Sequence, residues 1–145
     1  MPNFSRTVTV SSDIDSAFGF LSDFRNLEKW AEGDEGELIT KEPLRQGSVF
    51  KVKTHFNNKP REYDYKIIEW GPPLRVSLQA STSIFTIVDT IFLSANSKGT
   101  EITYSVDIKY KFPFFIFGIF VGTIFNKIMD KQIKNLEAVL GPVQD

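Results

Sequence analysis

Few residues in this chain could perform chemistry. The 145 residues include no cysteine and a single histidine, His55, so the chain offers no thiolate nucleophile, no disulfide and no multi-histidine metal site. His55 alternates with Lys51 and Lys53, which predicts that it lies on the solvent-facing side of a strand. We therefore expect no metal or cofactor and recognise no catalytic constellation, although the sequence leaves open whether the protein is an enzyme.

The remaining polar candidates are one carboxyl group and three phenols. Apolar residues occupy both the odd and the even positions around Asp89, so the alternation pattern leaves open which side of the strand it occupies. An inward position would raise its pKa and permit an acid–base role, but no second carboxylate is evidently placed to pair with it. Tyr63, Tyr65 and Tyr104 alternate with polar residues and are expected to turn their hydroxyls inward, either as ligand contacts or as core residues.

Charge and hydropathy exclude several classes of partner. Seventeen basic and eighteen acidic residues give a net charge of -1, which argues against nucleic acid. Six of the fourteen phenylalanines fall between Phe112 and Phe125, within fifteen uncharged residues. That stretch is shorter than the roughly twenty residues of a membrane span, and the first residues lack the pattern of a signal peptide. We expect a cytoplasmic protein without a transmembrane span.

The hydrophobic periodicity predicts an order of elements. Alternation at Phe4, Val8 and Val10 predicts a first strand, and a capping box of Ser12 and Asp15 predicts the start of one or two short helices that end near Trp30. Turn residues then separate six predicted strands, which short connections make antiparallel. These strands lie near residues 37–42, 48–56, 61–70, 74–82, 84–94 and 100–111.

Period-two alternation also assigns the inward face of the sheet. The inward set in three strands comprises Phe50, Val52, Thr54 and Phe56; Leu74, Val76, Leu78 and Ala80; and Ile102, Tyr104, Val106, Ile108 and Tyr110. The residues between them, such as Ser77, are expected to face solvent.

A long C-terminal helix is predicted to cover this face. An apolar stripe at helical spacing ends at Gly141 and Pro142, and it comprises Phe125, Met129, Ile133, Leu136 and Leu140. The start of the same helix is apolar on all sides, and its outward patch comprises Ile116, Phe117, Phe120 and Ile124. Loops around a cavity mouth, a homodimer interface, or docking on a membrane surface or protein would each cover this patch.

Several local motifs in this order resemble those of the START-related SRPBCC superfamily, with its helix-grip fold. They are the segment from Phe20 to Trp30, the Gly47-Ser48-Val49-Phe50 step, the segment from Tyr65 to Arg75, and the Gly99-Thr100 turn. Within the superfamily, the chain is most similar to the polyketide cyclase/dehydrase and lipid-transport branch. The resemblance covers residues 1–145 as a single domain. It implies an α+β fold in which about seven antiparallel strands wrap around the long helix, with two short helices after the first strand.

The resemblance also implies a cavity for an apolar molecule between the sheet and the C-terminal helix. Its expected lining comprises Trp30, Phe50, Val52, Tyr63, Tyr65, Val76, Leu78, Tyr104, Val106, Phe115, Gly118, Gly122 and Phe125, with Asp89 as a candidate polar group. Three functions stay open: a carrier or sensor of a hydrophobic small molecule such as a lipid or polyketide, a cyclase or dehydratase that uses the cavity Tyr and Asp residues, and a membrane- or protein-docking module.

Overall fold

The computed structural model describes residues 3–56, 59–114 and 118–143, without the side chains of residues 56 and 118–121. The chain order is β1 (Asn3–Val10), α1 (Ile14–Ser22), a 3-10 helix (Phe24–Lys29), β2 (Glu35–Leu38), β3 (Val49–Phe56), β4 (Lys59–Gly71), β5 (Arg75–Ser81), β6 (Phe85–Asn96), β7 (Gly99–Tyr110) and α2 (Gly118–Leu140). The strands form one antiparallel sheet in the order β1-β7-β6-β5-β4-β3-β2. The predicted α+β helix-grip fold is confirmed.

The second strand lies earlier than predicted. It spans Glu35–Leu38 rather than residues 37–42, because its position is set by packing against the 3-10 helix. A Cβ atom built on Gly36 would lie 1.9 Å from the Phe24 carbonyl oxygen, so this strand approaches the helix backbone more closely than any side chain allows. Hydrophobic periodicity in the sequence does not reveal such a contact.

One face assignment and one expected solvent exposure around β5 were wrong. Leu74 belongs to the turn before the strand, where its backbone N–H donates to the Gly71 carbonyl at 2.9 Å, and its side chain is 57% exposed. Ser77 is on the outer face as predicted but is buried, because Glu69 and Thr90 hydrogen-bond to its hydroxyl at 3.2 and 3.0 Å. A short polar side chain is covered there by its longer neighbours.

The start of α1 is capped differently from the prediction. Asp13 is the N-cap, and its carboxylate accepts the Ser16 backbone N–H at 3.2 Å. Ser12 instead donates its hydroxyl to the Leu140 carbonyl. The Ser12 hydroxyl therefore satisfies a carbonyl at the end of α2, a tertiary contact that the local motif does not reveal.

The core lies between the inner face of the sheet and the three helices. Met129 and Leu136 of α2 are fully buried, and Phe125 stacks on Phe4 of β1 with 5.0 Å between ring centroids. Trp30 is only 1% exposed and contacts the Tyr104 ring edge-on at 5.4 Å. These contacts place α2 across the inward-facing side chains of the sheet.

Hydrogen bonds hold α2 near its middle and at its end. At its end, the Ser11 N–H donates to the Gly141 carbonyl at 2.8 Å, and Asn135 donates to the Trp30 carbonyl at 3.2 Å. Near its middle, Arg6 of β1 donates to Asp130 at 2.7 Å and to Asn126 at 2.9 Å. In the described part of the chain, no helix is both long and apolar enough to cross a bilayer.

Candidate functional site

The register of the sheet determines the face on which Asp89 lies. On β6 the buried positions alternate through Ile87, Asp89, Ile91 and Leu93, so the carboxyl group points into the interior with 6% of the residue exposed. On the neighbouring strand β7, Val106 is the direct partner of Asp89. The carboxyl therefore interrupts an otherwise apolar row of inward side chains.

Tyr104 supplies the one hydrogen bond that the side-chain carboxyl of Asp89 receives from the described residues. Tyr104 lies two positions from Val106 on β7, so it is a diagonal cross-strand neighbour of Asp89 on the same face. Its hydroxyl donates to Asp89 Oδ2 at 2.9 Å. No donor among the described residues reaches the buried Oδ1 atom. An unpaired buried carboxyl oxygen is unusual and requires an explanation.

Burial changes the acid–base properties of this pair. Desolvation raises the pKa of Asp89 to about 7, with a further increase from Asp34 and an opposing decrease from the Tyr104 hydrogen bond. Burial and the Asp89 charge raise the pKa of Tyr104 well above its usual range, and the same two causes act on Tyr65. At neutral pH the phenols are therefore protonated donors, whereas Asp89 is close to half ionised.

A second carboxyl group, Asp34, faces the same space. It immediately precedes β2, and the Thr54 hydroxyl on β3 donates to its Oδ1 atom. Burial raises the pKa of Asp34, while the Thr54 hydrogen bond and the charge of His55 lower it. Asp34 was not recognised as a site residue because it lies in an acidic, turn-like stretch that is typical of a solvated loop. The pairing of β2 with β3 brings it to the site.

Asp34 and Asp89 line a cavity of about 100 Å³ between the sheet and α2. Val52, Tyr65, Tyr104 and Phe125 of the predicted lining also border it, together with residues that sequence reasoning did not assign to a site: Phe24, Leu27, Ile87, Ile128 and Gln132. The walls are therefore apolar and aromatic, with a polar cluster at the sheet. These lining residues come from α2, the 3-10 helix and several strands, so the cavity forms only when folding brings these elements together.

The other predicted cavity residues lie elsewhere. Trp30, Phe50, Val76, Leu78 and Val106 are fully buried in the hydrophobic core and do not border the cavity. Tyr63 is half-buried and packs against Phe85 with 5.7 Å between ring centroids. It borders a separate, wider surface hollow of about 380 Å³ whose other walls are polar: Lys51, Glu62, Asp64, Ser81 and Thr82.

The start of α2 is described only in part. Phe115, Ile116 and Phe117 lie outside the described residues, as does the side chain of Phe120. Ile124 is 39% exposed, so this member of the predicted apolar patch does face outward. Gly118 begins the helix, and no described atom lies within 4 Å of a Cβ built on Gly122. The helix thus leaves open space beside Gly122.

A comparison with protein families gives this arrangement its context. The family described as "Polyketide cyclase / dehydrase and lipid transport" matches residues 1–141. The chain belongs to this family. A search of curated protein sequences finds no significant match.

Solved structures share the fold at low sequence identity. A START superfamily protein from Mycobacterium smegmatis has a TM-score of 0.79 at 13% identity, over 95% of this chain and 96% of that one. A protein from Chromobacterium violaceum has a TM-score of 0.73 at 16% identity, over 97% and 98%. The di-domain ARO/CYC StfQ from the steffimycin biosynthetic pathway has a TM-score of 0.72 at 8% identity, over 95% of this chain and 50% of that one. At these identities the likeness concerns the fold alone.

Proposed function

We propose that this protein binds a hydrophobic small molecule, such as a lipid or a polyketide, in the cavity between the sheet and α2. The observation that carries the proposal is the buried Oδ1 atom of Asp89, which no donor among the described residues reaches, at the edge of an apolar cavity. A buried polar atom without a partner is costly, and a ligand that supplies the missing hydrogen bond would remove that cost. The family description, which includes lipid transport, supports the same function.

The cavity must enlarge to hold such a ligand. Its volume of about 100 Å³ accommodates only a few non-hydrogen atoms, whereas small-molecule sites are usually about 300–1,000 Å³. We therefore expect the cavity to widen when a ligand enters.

The test combines detection of the ligand with obstruction of the cavity. Native mass spectrometry and organic extraction of gently purified protein should reveal a bound apolar molecule, and a panel of lipids and polyketides should raise the melting temperature. Ile128→Trp places a larger side chain against the cavity and should weaken binding about tenfold or more. Lys127→Trp is the matched control, because Lys127 is the exposed neighbour on the same helix.

Two results would contradict the proposal. One is the absence of any co-purified or added ligand that stabilises the wild-type protein. The other is binding to Ile128→Trp that equals binding to Lys127→Trp, which would place the ligand outside the cavity between the sheet and α2.

A second candidate function is cyclisation or dehydration of a polyketide. The observation that favours it is the pKa of Asp89, about 7, in a cavity shared with two phenols, since a group that titrates near neutrality can both accept and donate a proton. Mass analysis of a poly-β-ketone substrate after incubation separates the two functions. Release of the substrate unchanged supports a carrier, whereas a dehydrated or cyclised product that Asp89→Asn no longer forms supports an enzyme.

A further inference from the structure

We propose that the polar end of the ligand is a protonated amine, held by Asp89 and Asp34, and that ligands ending in a carboxylate or phosphate are excluded. This inference rests on the proposed function, because it assigns the chemical class of the molecule in the same cavity. It follows from the charges that surround the cavity and from the free oxygen of Asp89.

Among the described residues, the ionisable groups that line the cavity are all acidic. They are the carboxyls of Asp34 and Asp89 and the phenols of Tyr65 and Tyr104. From α2 the lining side chains are Phe125, Ile128 and Gln132, and from the 3-10 helix Phe24 and Leu27, so neither helix contributes a charge. The uncharged run from Phe112 to Asn126 in the sequence adds no cation beside the start of α2.

The positive charge of His55 lowers the pKa of Asp34. His55 follows Thr54 on β3, however, and its side chain is exposed and does not line the cavity. The two carboxyls therefore face the cavity with no basic side chain among its described lining residues. An anionic head group brought into this space would add a negative charge beside these carboxyls in a region of low dielectric constant, which is unfavourable.

A cationic donor would both balance the negative charge of the carboxyls and donate a hydrogen bond to Asp89 Oδ1. In the described part of the chain no donor reaches the buried Oδ1 of Asp89, while the Tyr104 hydroxyl donates to Oδ2 at 2.9 Å, so one oxygen is available to accept a hydrogen bond. An alkylammonium group has three donors and a positive charge, and a charge-assisted hydrogen bond is about twice as strong as a neutral one. A ligand hydroxyl would supply the hydrogen bond without balancing the charge.

The proposal predicts how affinity depends on pH. A cation binds to the ionised form of Asp89, and that fraction rises from about a tenth at pH 6 to about nine tenths at pH 8 for a pKa of about 7. An alkylamine stays protonated over this range. Amine affinity should therefore increase up to about ninefold between pH 6 and pH 8.

Titration calorimetry with octylamine, 1-octanol and octanoate tests the proposal, because the three share a chain and differ in the head group. At pH 7.5 we expect octylamine to bind the wild-type protein about tenfold more tightly than the other two, or better. Asp89→Asn should lose this preference and the pH dependence. Asp107→Asn is the control. Asp107 is exposed on the outer face of the same sheet, and it pairs with Val88, the residue before Asp89.

The outcomes separate the two proposals. Equal or tighter binding of octanol or octanoate to the wild-type protein would overturn the amine assignment and leave hydrophobic ligand binding intact. No binding by any of the three would overturn the amine assignment, and it would overturn hydrophobic ligand binding as well if native mass spectrometry and the lipid and polyketide panel also show no ligand. If Asp89→Asn does not fold, the three ligands and the pH dependence measured on the wild-type protein still test the amine assignment. An octylamine affinity that does not change between pH 6 and pH 8 would contradict it.

Discussion

At the scale of single residues, the site depends on one exception to the inward apolar pattern. Asp89 occupies a position where its neighbours on the same face are Ile87 and Ile91, and burying a carboxyl there costs free energy that the hydrogen bond from Tyr104 offsets only in part. Tyr104 packs on Trp30 through its ring and donates to Asp89 through its hydroxyl. The same residue therefore contributes to the core and holds the carboxyl in position.

Removal of this hydroxyl should raise the pKa of Asp89 further. Tyr104→Phe preserves the ring contact with Trp30 but removes the hydroxyl that donates to Asp89 Oδ2, and this hydrogen bond lowers the pKa of Asp89. Carboxyl carbon NMR of Asp89 across a pH titration should show a midpoint above the wild-type value of about 7. Tyr110→Phe is the control, since Tyr110 contacts Phe85 and should leave the midpoint unchanged. A midpoint that stays the same or falls in Tyr104→Phe would contradict this role for the hydroxyl.

At the scale of elements, a short strand and a short helix position the second carboxyl. Asp34 lies between the 3-10 helix and β2, and β2 pairs with β3 through Glu35 opposite Lys53. Thr54, the next residue of β3, donates its hydroxyl to Asp34. Close packing of β2 on the 3-10 helix therefore determines where Asp34 lies relative to the cavity.

Enlarging Gly36 should separate these two elements. The added methyl group in Gly36→Ala would collide with the Phe24 carbonyl at 1.9 Å, and we expect a loss of about 2 kcal/mol or more in the free energy of unfolding. Gly19→Ala makes the same substitution at an exposed position of α1 where nothing lies within 4 Å, and it should stabilise by about 0.5–1 kcal/mol. Urea unfolding measures both. Equal effects of the two variants would show that β2 does not require this close approach.

At the scale of the whole molecule, the buried carboxyl links folding to pH. The folded-state pKa of Asp89 is about 7, above its ordinary value of 3.8, so the folded protein binds a proton that the unfolded chain releases between these values. This contribution to stability is complete below a pH of about 4 and is lost as the pH rises to about 7. The pKa of Asp34 is shifted in the same direction and adds to the trend.

The free energy of unfolding should therefore fall between pH 5 and pH 8, by at most a few kcal/mol. Asp89→Asn carries no titrating group at this position, and its urea unfolding curves should depend much less on pH, even if its buried amide lowers stability overall. Asp107→Asn should retain the wild-type slope. Wild-type stability that is constant or rises from pH 5 to pH 8 would contradict the raised pKa.

Much of the architecture was predictable because it follows from local periodicity. Alternation in β3, β5 and β7 predicted which side chains form the core, and Phe50, Val76 and Ile102 are all fully buried. The errors occurred where a tertiary contact determines the local structure. Ser12 bonds to the end of α2 instead of capping α1, and β2 shifts toward the 3-10 helix.

The site was predictable only in part, for the same physical reason. Tyr65 and Tyr104 could be assigned to the interior from their alternation, and both border the cavity. Asp89 lies between apolar residues at both parities, so only the pairing of β6 with β7 decides its direction. Asp34 carries no periodic signal at all, because its place depends on a strand pairing.

The succession of elements, the inward face of most strands and the family resemblance could be predicted, since each depends on residues that are close along the chain. The contents of the cavity depend on folding. Asp34 and Asp89 are 55 positions apart in the sequence, yet both border the same space, where burial raises the pKa of each. Desolvation and the interaction of distant charges are properties of the folded molecule, and they give this apolar cavity its acidic end.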